Sequence, residues 1–275
     1  MTPDCPASTD QTRHVLVTGA AGRIGSYFCS HYAKHYTLRM MVRPGKDVPE
    51  DLAACGEIVR ADLADADALR RLCADIDTVV HLAANPSPRA EWKDVLETNI
   101  VGTYHVMEAA REAGCRRVVY ASSIHAVSGY PIGFQVHEDE PVNPGDLYGV
   151  SKCFSEALGR YMATQKDLSV IAIRIGSFQS VDAAKDPDRV TMMNTFVSRR
   201  DLGQLLQRCI DDDSGIGFAV FHGLSNNRFN RMDITDAQEQ IGYNPQDDFT
   251  EENPALQSLD LRDKVRPHSD REKEP

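Results

Sequence analysis

Two residues capable of acid–base chemistry, Tyr148 and Lys152, lie four positions apart in the stretch LYGVSKCF. On a helix this spacing places both side chains on one face, one turn apart. A free tyrosine has a pKa of about 10, and a neighbouring ammonium favours the phenolate and so lowers that pKa. The pair could therefore supply a general base near neutral pH. Because the same spacing also occurs in ordinary surface helices, the rest of the chain must decide between the two interpretations.

A glycine-rich turn, TGAAGRIG, lies near the start of the chain and contains Gly19, Gly22 and Gly25. It follows the β-branched run HVLVTG and precedes a stretch with helical spacing. Such a turn lets the backbone approach a pyrophosphate, and the following helix offers oriented N–H groups. Because strand, turn and helix come in the required order, the motif predicts dinucleotide binding.

The elements that must position these residues alternate between apolar strands and helices as far as Ser177. Continuously apolar strands are typical of a parallel sheet covered on both faces. We therefore predict an α/β fold, a Rossmann-type doubly wound parallel sheet with a small C-terminal substrate-binding region. The predicted divisions are a disordered leader 1–12, a Rossmann core 13–177, a substrate-binding region 178–259 interleaved with the core, and a disordered tail 260–275.

Three finer predictions concern single segments. Two long helices are expected over Asp94–Gly114 and Tyr148–Gln165, with Gly114 as a C-terminal stop. The stretch 178–196, FQSVDAAKDPDRVTMMNTF, is predicted to be a loop because it shows neither strand nor helix periodicity.

Composition excludes several classes of partner. The 275 residues carry a formal net charge of −11, which argues against binding nucleic acid or an anionic membrane surface. No apolar run reaches the roughly 18 residues of a membrane span, and the N-terminus lacks the apolar segment of a secretory signal. The seven cysteines are scattered and show no zinc-binding spacing. The sequence therefore predicts no metal site, and a reduced, cytoplasmic location.

Several short motifs follow one another along residues 14–245. After the glycine turn come ADL (61–63), HLAA (81–84), Asn99, YASS (120–123) and the Tyr148/Lys152 pair. In this order they resemble the extended short-chain dehydrogenase/reductases of the NAD-dependent epimerase/dehydratase type. The resemblance implies that Tyr148 is the catalytic base, that Lys152 lowers its pKa and holds the nicotinamide ribose, and that Asn99 is structural. The cofactor-binding residues that it implies are Gly19, Gly22, Arg23, Ile24, Gly25, Asp62, Leu63, Leu82, Ala83, Ala84, Tyr148, Lys152 and Ile175.

The third catalytic partner in this family is a hydroxyl that hydrogen-bonds the reacting oxygen. Ser122 and Ser123 are both available. We favour Ser123 because it ends the strand at the carboxyl edge, where open α/β sheets bind ligands. Ser122 is then expected to be a packing residue.

The stretches SSIHAVSGYP, LYGVSKCFSEALGRY and IRIGS resemble uronate dehydrogenases and the related archaeal glucose-6-phosphate dehydrogenases. Both oxidise the C1 hydroxyl of a pyranose to a lactone. The substrate-binding residues implied by this resemblance are Ser87, Ser123, His125, Ser177 and Arg189. Arg189 is nearest in spacing to an arginine that binds the acidic end of the substrate, but a gapless match places Thr191 there. Ile124 stands where those proteins usually have asparagine, so the substrate could differ.

The cofactor expected is NADP or NAD, with NADP favoured. The end of the second predicted strand, RMMVRPG, lacks the acidic residue that usually binds the ribose hydroxyls of NAD. Arg43 offers donors suited to a 2′-phosphate, and Lys46 could assist it.

The function predicted is an NAD(P)-dependent oxidation of the C1 hydroxyl of a sugar or sugar acid, a hexuronate or hexose phosphate, to a lactone. One alternative is an NAD(P)-dependent sugar epimerase or dehydratase, and another is a non-catalytic dinucleotide-binding regulator. The family resemblance further implies a homodimer or higher homo-oligomer built from the two long helices.

Overall fold

The computed structural model describes residues 12–257, so the predicted tail and all of the predicted leader except its last residue lie outside them. A seven-stranded parallel sheet has the order β3-β2-β1-β4-β5-β6-β9, which confirms the predicted fold class. Two further strands, β7 and β8, pair parallel with each other outside this sheet. The strands are β1 His14–Thr18, β2 Thr37–Val42, β3 Glu57–Arg60, β4 Thr78–His81, β5 Arg117–Ser123, β6 Ser169–Ile175, β7 Ser177–Gln179, β8 Phe196–Ser198 and β9 Phe218–Gly223.

Helices connect the strands and cover both faces of the sheet. The α-helices are α1 Arg23–Tyr32, α2 Glu50–Ala53, α3 Ala66–Leu72, α4 Trp92–Val95, α5 Gly102–Glu112, α6 Leu147–Gln165, α7 Val181–Ala184, α8 Arg199–Asp211, α9 Thr235–Ile241, α10 Phe249–Glu252 and α11 Pro254–Gln257. Two 3₁₀ helices span Ile124–Val127 and Pro187–Met192. None of the helices in residues 12–257 combines the length and apolar character needed to cross a membrane.

Successive residues of the strands point to opposite faces, and each face has its own core. Val15 and Val17 of β1 pack in one core with Phe28 of α1. Leu16, between them, packs in the other core with Val106 of α5. Burial on both faces explains why the strands read as continuous apolar runs.

The residues after Ser177 contribute to the main sheet as well as to the cleft. Strand β9 pairs with β6, and Leu202 and Leu205 of α8 share a core with Phe28. The prediction of an unstructured loop over 178–196 is wrong, because this stretch contains most of β7, α7, a 3₁₀ helix and the start of β8. A three-residue strand has no local periodicity, and its pairing with a strand some 20 residues further along the chain becomes visible only in three dimensions.

The first long helix also differs from the prediction. Instead of one α-helix over Asp94–Gly114, α4 passes into a π-helical segment, Leu96–Val101, before α5 begins. Gly114 follows α5 with a φ of 74°, as expected for a helix stop. The second helix was predicted to within one residue at its start, since α6 begins at Leu147.

Candidate active site

A cleft runs along the carboxyl ends of the parallel strands, where open α/β sheets bind ligands. It consists of an outer cavity of about 430 Å³ and an inner cavity of about 470 Å³. Both are lined by Gly19, Gly22, Leu82 and Ala84, so the two cavities adjoin at the glycine turn. Predicted cofactor residues that line only the outer cavity are Arg43, Asp62, Leu63 and Ala83. Those that line only the inner cavity are Arg23, Ile24, Gly25, Tyr148, Lys152 and Ile175.

The glycine turn can hold a dinucleotide because its backbone is packed too closely for side chains. Gly19 has a φ of 70°, and a Cβ there would lie 2.9 Å from the backbone nitrogen of Ala83. Gly22 is the N-cap of the ten-residue helix α1 and brings no side chain to its N-terminus. The exposed N–H groups of such a terminus suit a pyrophosphate. The cavities on either side of the turn give the two halves of a dinucleotide a place to lie.

Helix α6 presents Tyr148 and Lys152 to the inner cavity. The Lys152 ammonium donates to the carbonyl oxygen of Ala121 at 2.7 Å. Its Nζ lies 5.4 Å from the centre of the Tyr148 ring and 4.8 Å from that of Tyr120. Strand β5 ends two residues after Ala121, and its last residue, Ser123, lines the inner cavity together with Tyr148.

Burial acts strongly on both acid–base groups. Burial raises the pKa of Tyr148, while hydrogen bonding with Ser123 works in the opposite direction. Burial lowers the pKa of Lys152 to about 7, against the opposing charge of Glu156. The pKa of Tyr148 is therefore raised by loss of solvent in this structure rather than lowered by Lys152 as expected, and Tyr148 is held as the neutral phenol.

The two serines at the end of β5 have different surroundings. Ser123 lines the inner cavity, and its hydroxyl oxygen accepts from the backbone N–H of His125 at 3.2 Å. Ser122 is buried and donates to Glu156 at 2.5 Å. Glu156 also accepts two hydrogen bonds from Arg174, at 3.1 and 3.0 Å. Ser122 thus belongs to a buried ionic cluster behind the cavity, which sequence inspection did not identify.

His125 reaches the inner cavity with a partner that the sequence analysis missed. Its Nδ1 lies 2.6 Å from a carboxylate oxygen of Asp146, and its ring meets the Tyr148 ring edge-on at 5.3 Å. The other oxygen of Asp146 accepts from the Gly149 N–H, capping α6. An aspartate just before a predicted helix is a recognisable cap signal. Its contact with His125 has no such sequence signal.

Asn99 has the structural role that the family resemblance implied. Its amide donates to Asn85 O and to the Ser151 hydroxyl, both at 3.0 Å, and its Oδ1 accepts from Asn85 N at 2.8 Å. It lies in the π-helical segment, which turns Asn99 inward while its neighbours Glu97 and Thr98 line the outer cavity. The loop after β4 is thereby tied to α6.

The remaining predicted substrate residues divide into two groups. Ser177 lines the inner cavity, with its hydroxyl 2.9 Å from that of Thr195. Ser87 and Arg189 are absent from the lining of either cavity within residues 12–257. Ser87 accepts from the Arg89 N–H, and exposed Arg189 pairs with Asp186 at 3.1 Å. Arg189 was expected to bind the acidic end of the substrate, but the structure does not bring it to the cleft, because the 3₁₀ helix turns it towards Asp186.

Residues from the segment after β6 complete the wall of the inner cavity. Phe178, Gln179 and Met192 all line it. Arg23, at the start of α1, donates to the Phe178 carbonyl at 2.9 Å and to the Gln179 side chain at 3.0 Å. The glycine turn is therefore connected to the segment that the sequence analysis had treated as loop.

A parallel sheet with this strand order, a glycine turn before α1, and a Ser–Tyr–Lys group at its carboxyl edge define a dinucleotide-binding enzyme of the short-chain dehydrogenase/reductase class. The family described as "NAD dependent epimerase/dehydratase family" has a sequence model that matches residues 15–212. The chain belongs to that family. Both the family expected from the motifs and the expectation of an NAD(P)-dependent enzyme are confirmed.

Three relatives are similar over nearly their whole lengths. The NAD-dependent glucose-6-phosphate dehydrogenase of Haloferax volcanii is 35% identical, covering 86% of this chain and 94% of its own. The L-arabinose 1-dehydrogenase (NAD(P)(+)) of the same organism is 32% identical, and the match covers 85% of this chain and 96% of that relative. The crystal structure of uronate dehydrogenase from Agrobacterium tumefaciens has a TM-score of 0.75 and 30% identity. The match covers 96% of this chain and 90% of that protein.

Proposed function

We propose that this protein oxidises the C1 hydroxyl of an aldose or aldose derivative to a lactone and passes the hydride to a nicotinamide dinucleotide. The observation that carries the proposal is the convergence of Ser123, Tyr148 and Lys152 on the inner cavity, next to the glycine turn. The similarity to three sugar dehydrogenases supports the same reaction. Those relatives act on both charged and uncharged sugars, so their names leave the sugar open.

The chain's own residues supply the proton chemistry. Ser123 orients the C1 hydroxyl, and Tyr148, once its own proton has been lost to solvent, takes the hydroxyl proton as the C1–H bond breaks and its hydride leaves for the nicotinamide. Because Tyr148 is held neutral in this structure, its ionisation requires a charged Lys152 close to the ring. Lys152 is kept in place by the Ala121 carbonyl. The nicotinamide, when bound, supplies the hydride acceptor.

The decisive experiment measures net formation of reduced cofactor with free aldoses and aldose derivatives. A dehydrogenase accumulates reduced cofactor in proportion to the sugar consumed. An epimerase or dehydratase returns the hydride to its product and accumulates none, while a non-catalytic regulator binds cofactor without consuming sugar. Product analysis alongside the absorbance measurement separates the last two outcomes.

We further propose that the protein uses NADP as well as NAD and favours NADP. Arg43 and Lys46 both line the outer cavity, at and just beyond the end of β2. The acidic residues in the described lining are Asp62, which follows β3, and Glu97 of the π-helical segment. The end of β2 therefore presents positive rather than negative charge to the adenosine half of the cofactor, which favours a 2′-phosphate.

A further inference from the structure

The charged groups in the inner cavity are already engaged. Among residues 12–257, Arg23 and Lys152 supply the cationic side chains of its lining. Lys152 donates to Ala121 beneath Tyr148, so it belongs to the proton-transfer group. Arg23 lies beside Gly22 at the turn that suits a pyrophosphate, and its guanidinium is bonded to Phe178 and Gln179. Lys152 thus belongs to the proton-transfer group and Arg23 to the cofactor turn, so we assign neither to the far end of a sugar.

His125 is also committed by its contacts. An ionised carboxylate only accepts hydrogen bonds, so the close approach of Asp146 places the ring proton on Nδ1. Nδ1 is thereby committed to Asp146 and is not available to a substrate anion.

Two arginines outside the lining, Arg89 and Arg189, are the remaining candidates for binding an anionic group of the sugar. Arg189 is paired with Asp186 and exposed. Arg89 is exposed on the loop that follows Pro86, and only Pro86 of that pair reaches the cavity. Both guanidiniums therefore lie in solvent, outside the wall of the inner cavity.

The rest of the wall combines apolar side chains with the neutral polar side chains of Ser177 and Gln179. Pro86, Ile124 and Met192 line the inner cavity together with Ser123 and Tyr148. Apolar surface stabilises a bound methyl group or bare ring carbon, while a carboxylate or phosphate desolvated against these three apolar residues would have no cation to pair with.

From this distribution we infer that the sugar is uncharged and carries little polarity at C5, as in an aldopentose or a 6-deoxyaldohexose. The inference rests on the proposed C1 dehydrogenase function, which fixes the reacting end of the sugar at Ser123 and Tyr148. The opposite end then contacts the apolar wall. It replaces the expectation of a hexuronate or hexose phosphate, which came from the resemblance to uronate and glucose-6-phosphate dehydrogenases with Arg189 at the acidic end of the substrate.

The test compares sugars that differ only in the C5 substituent. In one series D-fucose, L-arabinose, D-galactose and D-galacturonate carry methyl, hydrogen, hydroxymethyl and carboxylate on the same ring. The gluco series adds D-xylose, D-glucuronate and glucose 6-phosphate. We expect kcat/KM in the preferred series to be about tenfold or more higher for the methyl or unsubstituted sugar than for the acid. A preference for the carboxylate or phosphate would overturn the inference.

Matched variants test the cause. Met192→Lys places a cation in the wall and should raise kcat/KM for the hexuronate relative to the 6-deoxy sugar by about tenfold, whereas the neutral Met192→Gln should not. Arg89→Gln and Arg189→Gln should each leave that ratio within about twofold of wild type. A tenfold loss of hexuronate activity in either arginine variant would show a hidden anion site and overturn the inference.

Failure of the underlying proposal has a different signature. If no sugar of either series yields reduced cofactor while the protein still binds the dinucleotide, the dehydrogenase function is wrong and this inference is overturned with it. If the acids alone yield reduced cofactor, the dehydrogenase function stands and only the inference on substrate class is overturned.

Discussion

At the scale of single residues, Tyr148 and Lys152 are both nearly removed from solvent, with 9% and 3% of their surfaces exposed. Burial disfavours the charged form of each, so it raises one pKa and lowers the other. Tyr148 is therefore held as a neutral phenol beside a lysine whose pKa burial lowers to about 7. The spacing of Tyr148 and Lys152 in the sequence does not reveal these pKa shifts, because their size depends on how much water reaches the two side chains.

The Tyr148→Phe variant should lose roughly 10²–10⁴-fold in kcat, since the ring still packs but the proton-accepting oxygen is gone. Cofactor affinity should stay close to wild type when measured by titration of the dinucleotide. Tyr161→Phe is the matched control, because Tyr161 is exposed on the same helix. A Tyr148→Phe enzyme that retains more than about a tenth of wild-type turnover would exclude Tyr148 as the base.

Lys152→Met should change the pH dependence of stability. Because the folded-state pKa is about 7 and that of an unperturbed lysine is 10.5, the folded protein binds fewer protons than the unfolded chain between these limits. This group therefore makes the free energy of unfolding rise with pH across that window. Below about pH 7 its burial costs on the order of a few kcal/mol, since each pKa unit corresponds to about 1.4 kcal/mol.

The measurement is urea unfolding of wild type and Lys152→Met at about pH 6 and about pH 9. The free energy of unfolding of the variant relative to wild type should be higher at the lower pH and should fall as the pH rises. Lys166→Met, at an exposed position just after the same helix, should show no such trend. A difference between Lys152→Met and wild type that does not vary with pH would exclude the buried charge as its cause.

At the scale of elements, the cleft depends on where strands and helices end. Strand β5 ends at Ser123, α6 begins one residue after Asp146, and the π-helical segment turns Asn99 towards α6. A π segment inserts one extra residue per turn, so it changes which side chains face inward. The sequence predicted a single uniform helix here because an i→i+5 turn has no distinct residue preference.

The end of β2 provides a test of the cofactor proposal. Arg43→Ala should lower kcat/KM for NADP relative to NAD by roughly 10–100-fold, because a charge-assisted hydrogen bond contributes about 1.5–3 kcal/mol. Arg71→Ala, an exposed arginine of α3 outside the cavity lining, should leave the ratio unchanged. If wild type prefers NAD more than about tenfold and Arg43→Ala leaves that ratio as it was, the proposed role of Arg43 fails.

At the scale of the whole molecule, α6 carries a row of exposed apolar residues on the side away from the sheet. Leu147, Val150, Phe154 and Tyr161 are each 39–46% exposed, and Tyr104 of α5 is exposed to a similar degree. Spacings of three, four and seven residues place the α6 positions along one face. We propose that this face is the contact between subunits of a homodimer, consistent with the oligomer expected from the two long helices.

The double variant Val150→Asp/Phe154→Asp should therefore be monomeric by light scattering at a concentration at which the wild-type protein is dimeric. Carboxylates facing each other across a symmetric interface repel and lose solvent. Thr164→Asp, at an exposed polar position of the same helix, should remain dimeric. A double variant that remains dimeric would place the subunit contact elsewhere. A wild-type protein that is monomeric at every concentration would exclude the homodimer.

The sequence by itself determined the sheet, the glycine turn and the triplet of Ser123, Tyr148 and Lys152. These features depend on local signals: apolar runs, glycines that only a tight turn requires, and a spacing of four on a helix. Tertiary structure alone decided that Met192 and Phe178 line the inner cavity while Arg189 lies outside its lining, and that Asp146 holds His125. Each of these depends on contacts between distant segments, whose geometry is fixed only when the chain has packed. The cofactor end of the cleft could therefore be predicted from the sequence, whereas the full set of residues that line the sugar end could not.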